Sequence, residues 1–300
     1  MPGAIAKNAQ EGTRSEYLAQ YALSSFGTAI PVPHPEDSGI DLYCTLGRRI
    51  GRRFLVENPY LVQVKSNDNP ISYFGVDEVN WLLSHNYPFL ICIVNKKKAR
   101  VELYQTMALS LFSAKKCENI TLHINDNKFD TFPHESTSKN INISLGDPII
   151  RFPITALDGG SFNKKLSKVL KSWIEVDQEN IDLKSTGFTL FRTANSWQTN
   201  ECCEALTIKG NFKESFENEN NKKKFDDVFS KMLSQLINNA VCEKDIHKYS
   251  ELLSFTKSYT SRYKHFDSFG ARILEFSINA GNKEFGINDL MVVTTNKNTA

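Results

Sequence analysis

Tyr60-Leu61-Val62-Gln63-Val64-Lys65 is an apolar, β-branched run with Pro59 before it and Ser66-Asn67-Asp68-Asn69-Pro70 after it. That is the pattern of a β-strand closed by a turn. Side chains alternate along a strand, so Gln63 and Lys65 share one face, about 7 Å apart, while Val62 and Val64 turn to the other face and a core. An inward lysine on such a strand is costly unless a negative group stands opposite. Asp41, which closes Ser38-Gly39-Ile40-Asp41 upstream, is the candidate for that group.

The flanking segments extend the pattern in both directions. Ile40 to Leu46 alternates, with Ile40, Leu42, Cys44 and Leu46 on one face and Asp41, Tyr43 and Thr45 on the other. Upstream, Asn8 to Phe26 reads as a helix through Tyr17, Leu18, Tyr21, Ala22 and Phe26, stopped by Gly27. Thr28 to Val32 reads as a short strand, followed by the turn Pro33-His34-Pro35-Glu36-Asp37. Between the two longer strands lies Gly47-Arg48-Arg49-Ile50-Gly51-Arg52-Arg53, expected as a loop leading into Phe54-Leu55-Val56. Downstream come a helix over Asp77 to His85, a strand over Pro88 to Val94 that is apolar on both faces, as a central strand is, and a further strand over Arg100 to Gln105. The order is α-β-β-β-α-β, which places the chain in the α/β class.

Further along, Thr106 to Ala114 reads as helix, Ile120 to Ile124 as strand, Phe129 to Lys139 as loop, and Ser161 to Glu175 as an amphipathic helix through Leu166, Val169, Leu170, Trp173 and Ile174. A boundary near Lys184 divides the chain into residues 1–184 and an α+β accessory domain over 185–300. In the latter, Glu214 to Lys224 is polar and expected as an exposed loop. It precedes a helix with Phe225, Val228, Phe229, Met232, Leu233, Leu236, Ile237 and Ala240 on one face. A second helix over Lys244 to Tyr259 and a strand pair, Ala271 to Ile278 and Phe285 to Val293, complete it.

The chain has 300 residues, enough for one large or two ordinary domains, and 40% hydrophobic residues, ample for a core. Its net charge of +2 announces no global basic field, so any grip on phosphates must come from local patches. The six cysteines (Cys44, Cys92, Cys117, Cys202, Cys203, Cys242) show no C-x-x-C spacing, which favours buried thiols over disulfides or zinc. The N-terminus lacks the apolar stretch of a signal peptide, and the longest apolar run, Phe89 to Val94, is too short to cross a bilayer. A cytoplasmic protein with no membrane partner is the expectation. Phosphate-loop, zincin, nucleophile-elbow and dinucleotide motifs are absent from the sequence, and the six histidines show no ligand spacing.

The pattern resembles the PD-(D/E)XK nuclease superfamily, and within it the bacterial domain-of-unknown-function family numbered 4365. The resemblance implies a restriction-endonuclease-like αβββαβ core, a mixed central sheet flanked by helices. The residues that carry the resemblance are Gly12 to Glu16, Gly39-Ile40-Asp41, Gln63-Val64-Lys65, Trp81 and Pro88 to Val94. They cover about the first half of the chain. The resemblance implies a Mg²⁺- or Mn²⁺-dependent endonuclease, acting on DNA in preference to RNA, with a part in defence against foreign DNA. Asp41, Gln63, the Val64 carbonyl and Glu16 would hold the ion, and Lys65 would position the attacking water. Hard divalent cations take oxygen donors of this kind. Gln63 stands where the superfamily usually has an acid, although Gln also occurs there in its Mrr-like restriction branch.

Each residue also has a plainer reading. Thr13-Arg14-Ser15-Glu16 fits a capping box, Asp41 fits a turn residue, and Lys65 fits an edge-strand lysine. Arg48, Arg49, Arg52 and Arg53, placed on a hairpin tip, either grip a duplex backbone without reading sequence or form a solvated charged turn. Glu36, Asp37 and Glu57 read as solvated loop charges, and Asp77 and Glu78 as openers of a helix. The competing functional expectations are a nuclease-derived nucleic-acid-binding or regulatory module without hydrolysis, and an interaction protein whose C-terminal half senses a partner, with the N-terminal half as its effector. An activating partner protein is also expected. A homodimer through the Phe225 to Ala240 helix is a further expectation, against a simple core helix.

Overall fold

The computed structural model describes residues 7–33, 39–113, 117–124, 126, 128–133, 139–158, 160–184, 188–192, 199–204, 207–210, 219–262 and 269–287. The chain is α/β and forms two compact units, Met1–Phe212 and Lys213–Ala300.

In the first unit, α1 (Lys7–Ser24) is followed by β1 (Gly27–Pro31), β2 (Leu42–Ile50) and β3 (Arg53–Lys65). Then come β4 (Ile71–Phe74), α2 (Gly75–Leu83), β5 (Phe89–Asn95) and β6 (Arg100–Tyr104). A 3-10 turn at Met107–Phe112, β7 (Asn119–His123), β8 (Asn140–Ser144), β9 (Ile150–Pro153), α3 (Gly160–Leu183), β10 (Phe188–Phe191) and β11 (Thr207–Gly210) complete it. The main sheet is six-stranded in the order β1-β2-β3-β5-β6-β9, and β4, β7 and β8 form a second sheet. Within the main sheet only β3 and β5 run parallel; the other neighbours are antiparallel. β5, central between β3 and β6, is buried from Phe89 to Val94, as its unbroken apolar run requires.

Helix α1 packs on β1, β2, β3 and β5. Its buried stripe is Ser15, Ala19, Ala22 and Leu23, whereas Tyr17 and Tyr21, part of the helical spacing read from the sequence, are 65% and 57% exposed. The small residues let the helix approach the sheet closely, and the tyrosines keep their hydroxyls in water. The segment after Gly47, expected as a loop at a hairpin tip, is paired almost throughout: β2 and β3 stay together as far as Ile50 opposite Arg53. The register slips between Thr45 and Leu46, and Asn58 there adopts φ 49°, a β-bulge at a residue type that tolerates positive φ.

The β10–β11 hairpin lies beyond the boundary expected at Lys184 yet belongs to the first unit. The fully buried Asn180 of α3 explains this: its side chain accepts from the Leu190 N–H at 2.6 Å and donates to the Leu190 carbonyl at 2.9 Å. Residues 185–300 thus contain both strands and helices, but their strands and helices fall in different units.

The second unit, among the described residues, is helical: α4 (Glu219–Cys242), α5 (Ile246–Arg262) and α6 (Phe269–Phe285). Two expectations are corrected here. Residues 219–224 open α4 instead of lying in a loop, and Ala271 to Ile278 is helix, not strand. Ala271, Leu274 and Ile278 are each 1% exposed, and their spacing of three and four is helical, not alternating. Tyr249 of α5 secures this stretch, donating to the Ile278 carbonyl and to Asn282 Oδ1, both at 2.8 Å. Residues 214–218 of the expected loop and 288–293 of the expected last strand lie outside the described residues. No helix among the described residues is long and apolar enough to cross a membrane.

Candidate active site

Asp41 is held by its backbone before its side chain does anything. Its N–H donates to the Val62 carbonyl at 3.0 Å, and its own carbonyl accepts from Val32 N–H at 2.9 Å. This fixes it one residue ahead of β2, with Leu42 opposite Val62. From there Oδ2 accepts the N–H of Val64. The carboxylate therefore sits at the backbone of β3 between Gln63 and Lys65, the two residues singled out with it in the sequence. The N–H and C=O of one strand residue point to the same side, so the Val64 carbonyl also turns toward Asp41. Neighbouring Gly39 has φ +90°, and a Cβ there would lie 3.0 Å from the Trp81 ring and 3.5 Å from Gln63 Nε2. Both the dihedral and the space call for glycine at this position.

Gln63 is buried at 6% exposure, and its Oε1 accepts from the Tyr73 hydroxyl at 2.8 Å. Tyr73 comes from β4 in the second sheet, and its ring stacks on Trp81 of α2, centroids 6.1 Å apart. The Tyr73 phenol is pushed up, first by burial and then by the negative charge of Asp41. Asp41 also contributes to raising the Cys92 thiol, though less than burial and Cys44 do. Tyr73 is the site residue that sequence reasoning missed. It follows Gln63 by a turn, carries no motif, and reaches the site only because β4 leaves the main sheet.

Lys65 ends β3, half-buried, opposite Ile93 of β5 and on the same strand face as Gln63. Glu16 is half-buried on α1, with Oε1 3.9 Å from where a Gly12 Cβ would stand. The carboxylate thus turns back over the space that glycine leaves. Because α1 begins at Lys7, Thr13 to Glu16 lie inside the helix, and the capping-box reading of Glu16 falls away.

The other predicted groups divide clearly. Arg48, Arg49 and Arg53 are on the β2–β3 hairpin and Arg52 is at its turn; the side chain of Arg49 is outside the described set. Arg53 is nine residues from Val62 along β3, which is about 30 Å of extended strand. The arginines are therefore at the far end of the strands and not beside Asp41, as their sequence proximity suggested. Glu57 pairs with Arg48 at 3.0 Å and with Lys171 at 3.1 Å. Glu78 accepts the N–H of Phe74 at 2.7 Å, serving the start of α2 as expected. His34, Glu36 and Asp37 lie outside the described residues.

The donors around Asp41 are oxygens: a carboxylate with one oxygen engaged by Val64 N–H, the Val64 carbonyl, and an amide oxygen with one of its two lone pairs taken by Tyr73. That set suits a hard divalent cation, which takes carboxylate, carbonyl and water ligands. Among the described residues no three His, Cys, Asp or Glu side chains cluster as a metal site. The set around Asp41 does not need three, since backbone and amide oxygens complete it. Comparison with family models, with curated proteins and with solved structures finds no match to this chain.

Proposed function

We propose that the first unit is a metal-dependent phosphodiester hydrolase with a restriction-endonuclease-like core, acting on DNA. The observation that carries this reading is the seating of the Asp41 carboxylate on the Val64 amide, between Gln63 and Lys65. The finer fold assignment is supported by the strand order: an antiparallel β1-β2-β3 meander, a crossover through α2, and a return as β5 parallel to β3. β4 departs from the simple αβββαβ order by joining a second sheet, and β9 extends the main one.

Asp41, the Val64 carbonyl and Gln63, with Glu16 from α1, would hold Mg²⁺ or Mn²⁺. When bound, such an ion neutralises charge on the phosphate and makes water a better nucleophile. The chain's own residues do the rest. Asp41 supplies the fixed negative charge, locked by backbone bonds on both sides. Lys65 brings a cation and donor protons to the reacting phosphate and orients the water. Gln63, held by Tyr73, keeps the floor of the site in one geometry. A role in defence against foreign DNA follows only from the resemblance and is part of the same proposal.

A second reading has its own observation. Gln63, a neutral amide whose Oε1 already accepts from the Tyr73 hydroxyl, stands where an acid would bring the ion a full charge, and a site so weakened suits a binding module without hydrolysis. Supercoiled plasmid with Mg²⁺ or Mn²⁺ separates the two. The hydrolase reading expects nicking that falls at least about a thousandfold in Asp41→Ala and in Lys65→Ala, about 4 kcal/mol of barrier. Binding without nicking by the parent protein, on DNA and RNA alike, gives the module reading instead.

A further inference from the structure

Beyond Leu46, β2 has left β1, and before Leu61, β3 has not yet met β5. Residues 47–57 are therefore a two-stranded ribbon standing out from the sheet past the bulge at Asn58. Its base is tied down by Glu57, which bridges Arg48 and Lys171. Its outer part is exposed from Arg52 to Val56, including Phe54, Leu55 and Val56. The Phe54 ring lies over Gly47, where a Cβ would meet it at 2.1 Å, so the ribbon packs against itself. Its charge is out of proportion: four arginines against one glutamate give +3, more than the +2 of the whole chain.

We propose that this ribbon is a duplex-DNA contact, inserting into the major groove of B-form DNA away from the hydrolytic centre. The proposal deepens the hydrolase reading, on which it rests for its substrate, and names that substrate as double-stranded DNA. The major groove of B-DNA is about 12 Å wide and admits a two-stranded ribbon. The A-form RNA groove is too narrow and deep to do so. Arginines on such a ribbon reach phosphates on both walls. The separation of about 30 Å from Asp41 corresponds to about nine base pairs at 3.4 Å each. A duplex lying along β2 and β3 is thus held at one place and reacts at another.

The test uses the full chain silenced by Asp41→Asn, with fluorescent duplexes of roughly 24 base pairs, long enough to span both contacts. DNA duplex is expected to bind at least tenfold tighter than RNA duplex of the same sequence. Adding Arg48→Ala, Arg52→Ala and Arg53→Ala should cost at least tenfold and reduce the salt slope by about 2–3. Replacing the same three by lysine should keep the slope, which separates lost charge from lost folding. Equal affinity and slope in the alanine variant, or equal binding of RNA duplex, overturns the proposal. So does a change of oligomeric state with DNA binding intact, which would assign the ribbon to a second copy of the chain. Ribbon-dependent DNA binding by a parent that never nicks plasmid leaves this contact standing and removes the hydrolase reading. Nicking that ignores the ribbon does the reverse.

Discussion

Asp41 and Gln63 differ in what their surroundings demand of them. Asp41 would be needed by the backbone alone, since Val64 N–H uses its carboxylate, so loss of folding and loss of chemistry must be told apart at this position. Gln63 offers a cleaner probe. Gln63→Glu places a second negative charge beside Asp41 with little change of shape. It should lower stability without metal and increase the thermal stabilisation given by Mn²⁺ relative to the parent, as read by melting with and without the ion. An unchanged response to Mn²⁺ would mean that no ion binds there. Tyr73→Phe leaves the buried Gln63 oxygen without its donor and should cost about 1–2 kcal/mol in urea unfolding. A neutral result would show that the hydroxyl is dispensable to that oxygen.

The elements behind the site carry a pH dependence of their own. Asp177 of α3 is buried, and burial lifts its carboxyl from 3.8 to about 7 against the pull of Lys184 and of the Phe89 N–H. Burial, with help from Lys184, pushes His85 from 6.5 down to about 4. Lys184 joins the two, donating to the Leu83 and His85 carbonyls at 3.1 and 2.8 Å. Between pH 3.8 and about 7 folded Asp177 keeps a proton that the unfolded chain releases, so its contribution to stability falls as pH rises. Between about 4 and 6.5 folded His85 stays neutral while the unfolded chain takes up a proton, so its contribution rises with pH. The two oppose each other and flatten the profile. Asp177→Asn should therefore give a stability that climbs from pH about 4 to about 6.5, and His85→Gln one that declines toward about 7, by urea midpoint. Parallel profiles for parent and variants would contradict the assignment.

Across the whole molecule, the sequence was most legible where one local rule decided the structure. The Tyr60–Lys65 strand, the buried β5 and the Gly39-Ile40-Asp41 approach follow from alternation, continuous apolarity and a glycine turn, and the structure has each of them. What was missed depended on contacts distant in sequence. Tyr73 joins the site through a second sheet, Asn180 draws β10 into the first unit, and Leu274, Phe276 and Ile278 alternate over a few residues while Ala271, Leu274 and Ile278 pack with helical spacing. The place of the arginine cluster on a hairpin tip is legible in the sequence, but its distance from Asp41 is not, because nothing local reveals that β2 and β3 stay paired to Ile50. One measurement bears most directly on the claim that joins all of this. Crystals soaked in Mn²⁺ should show an anomalous peak within direct coordination distance, about 2.0–2.6 Å for hard divalent ions, of an Asp41 carboxylate oxygen and the Val64 carbonyl. An ion bound elsewhere, or no peak at Asp41 at saturating Mn²⁺, would contradict the account.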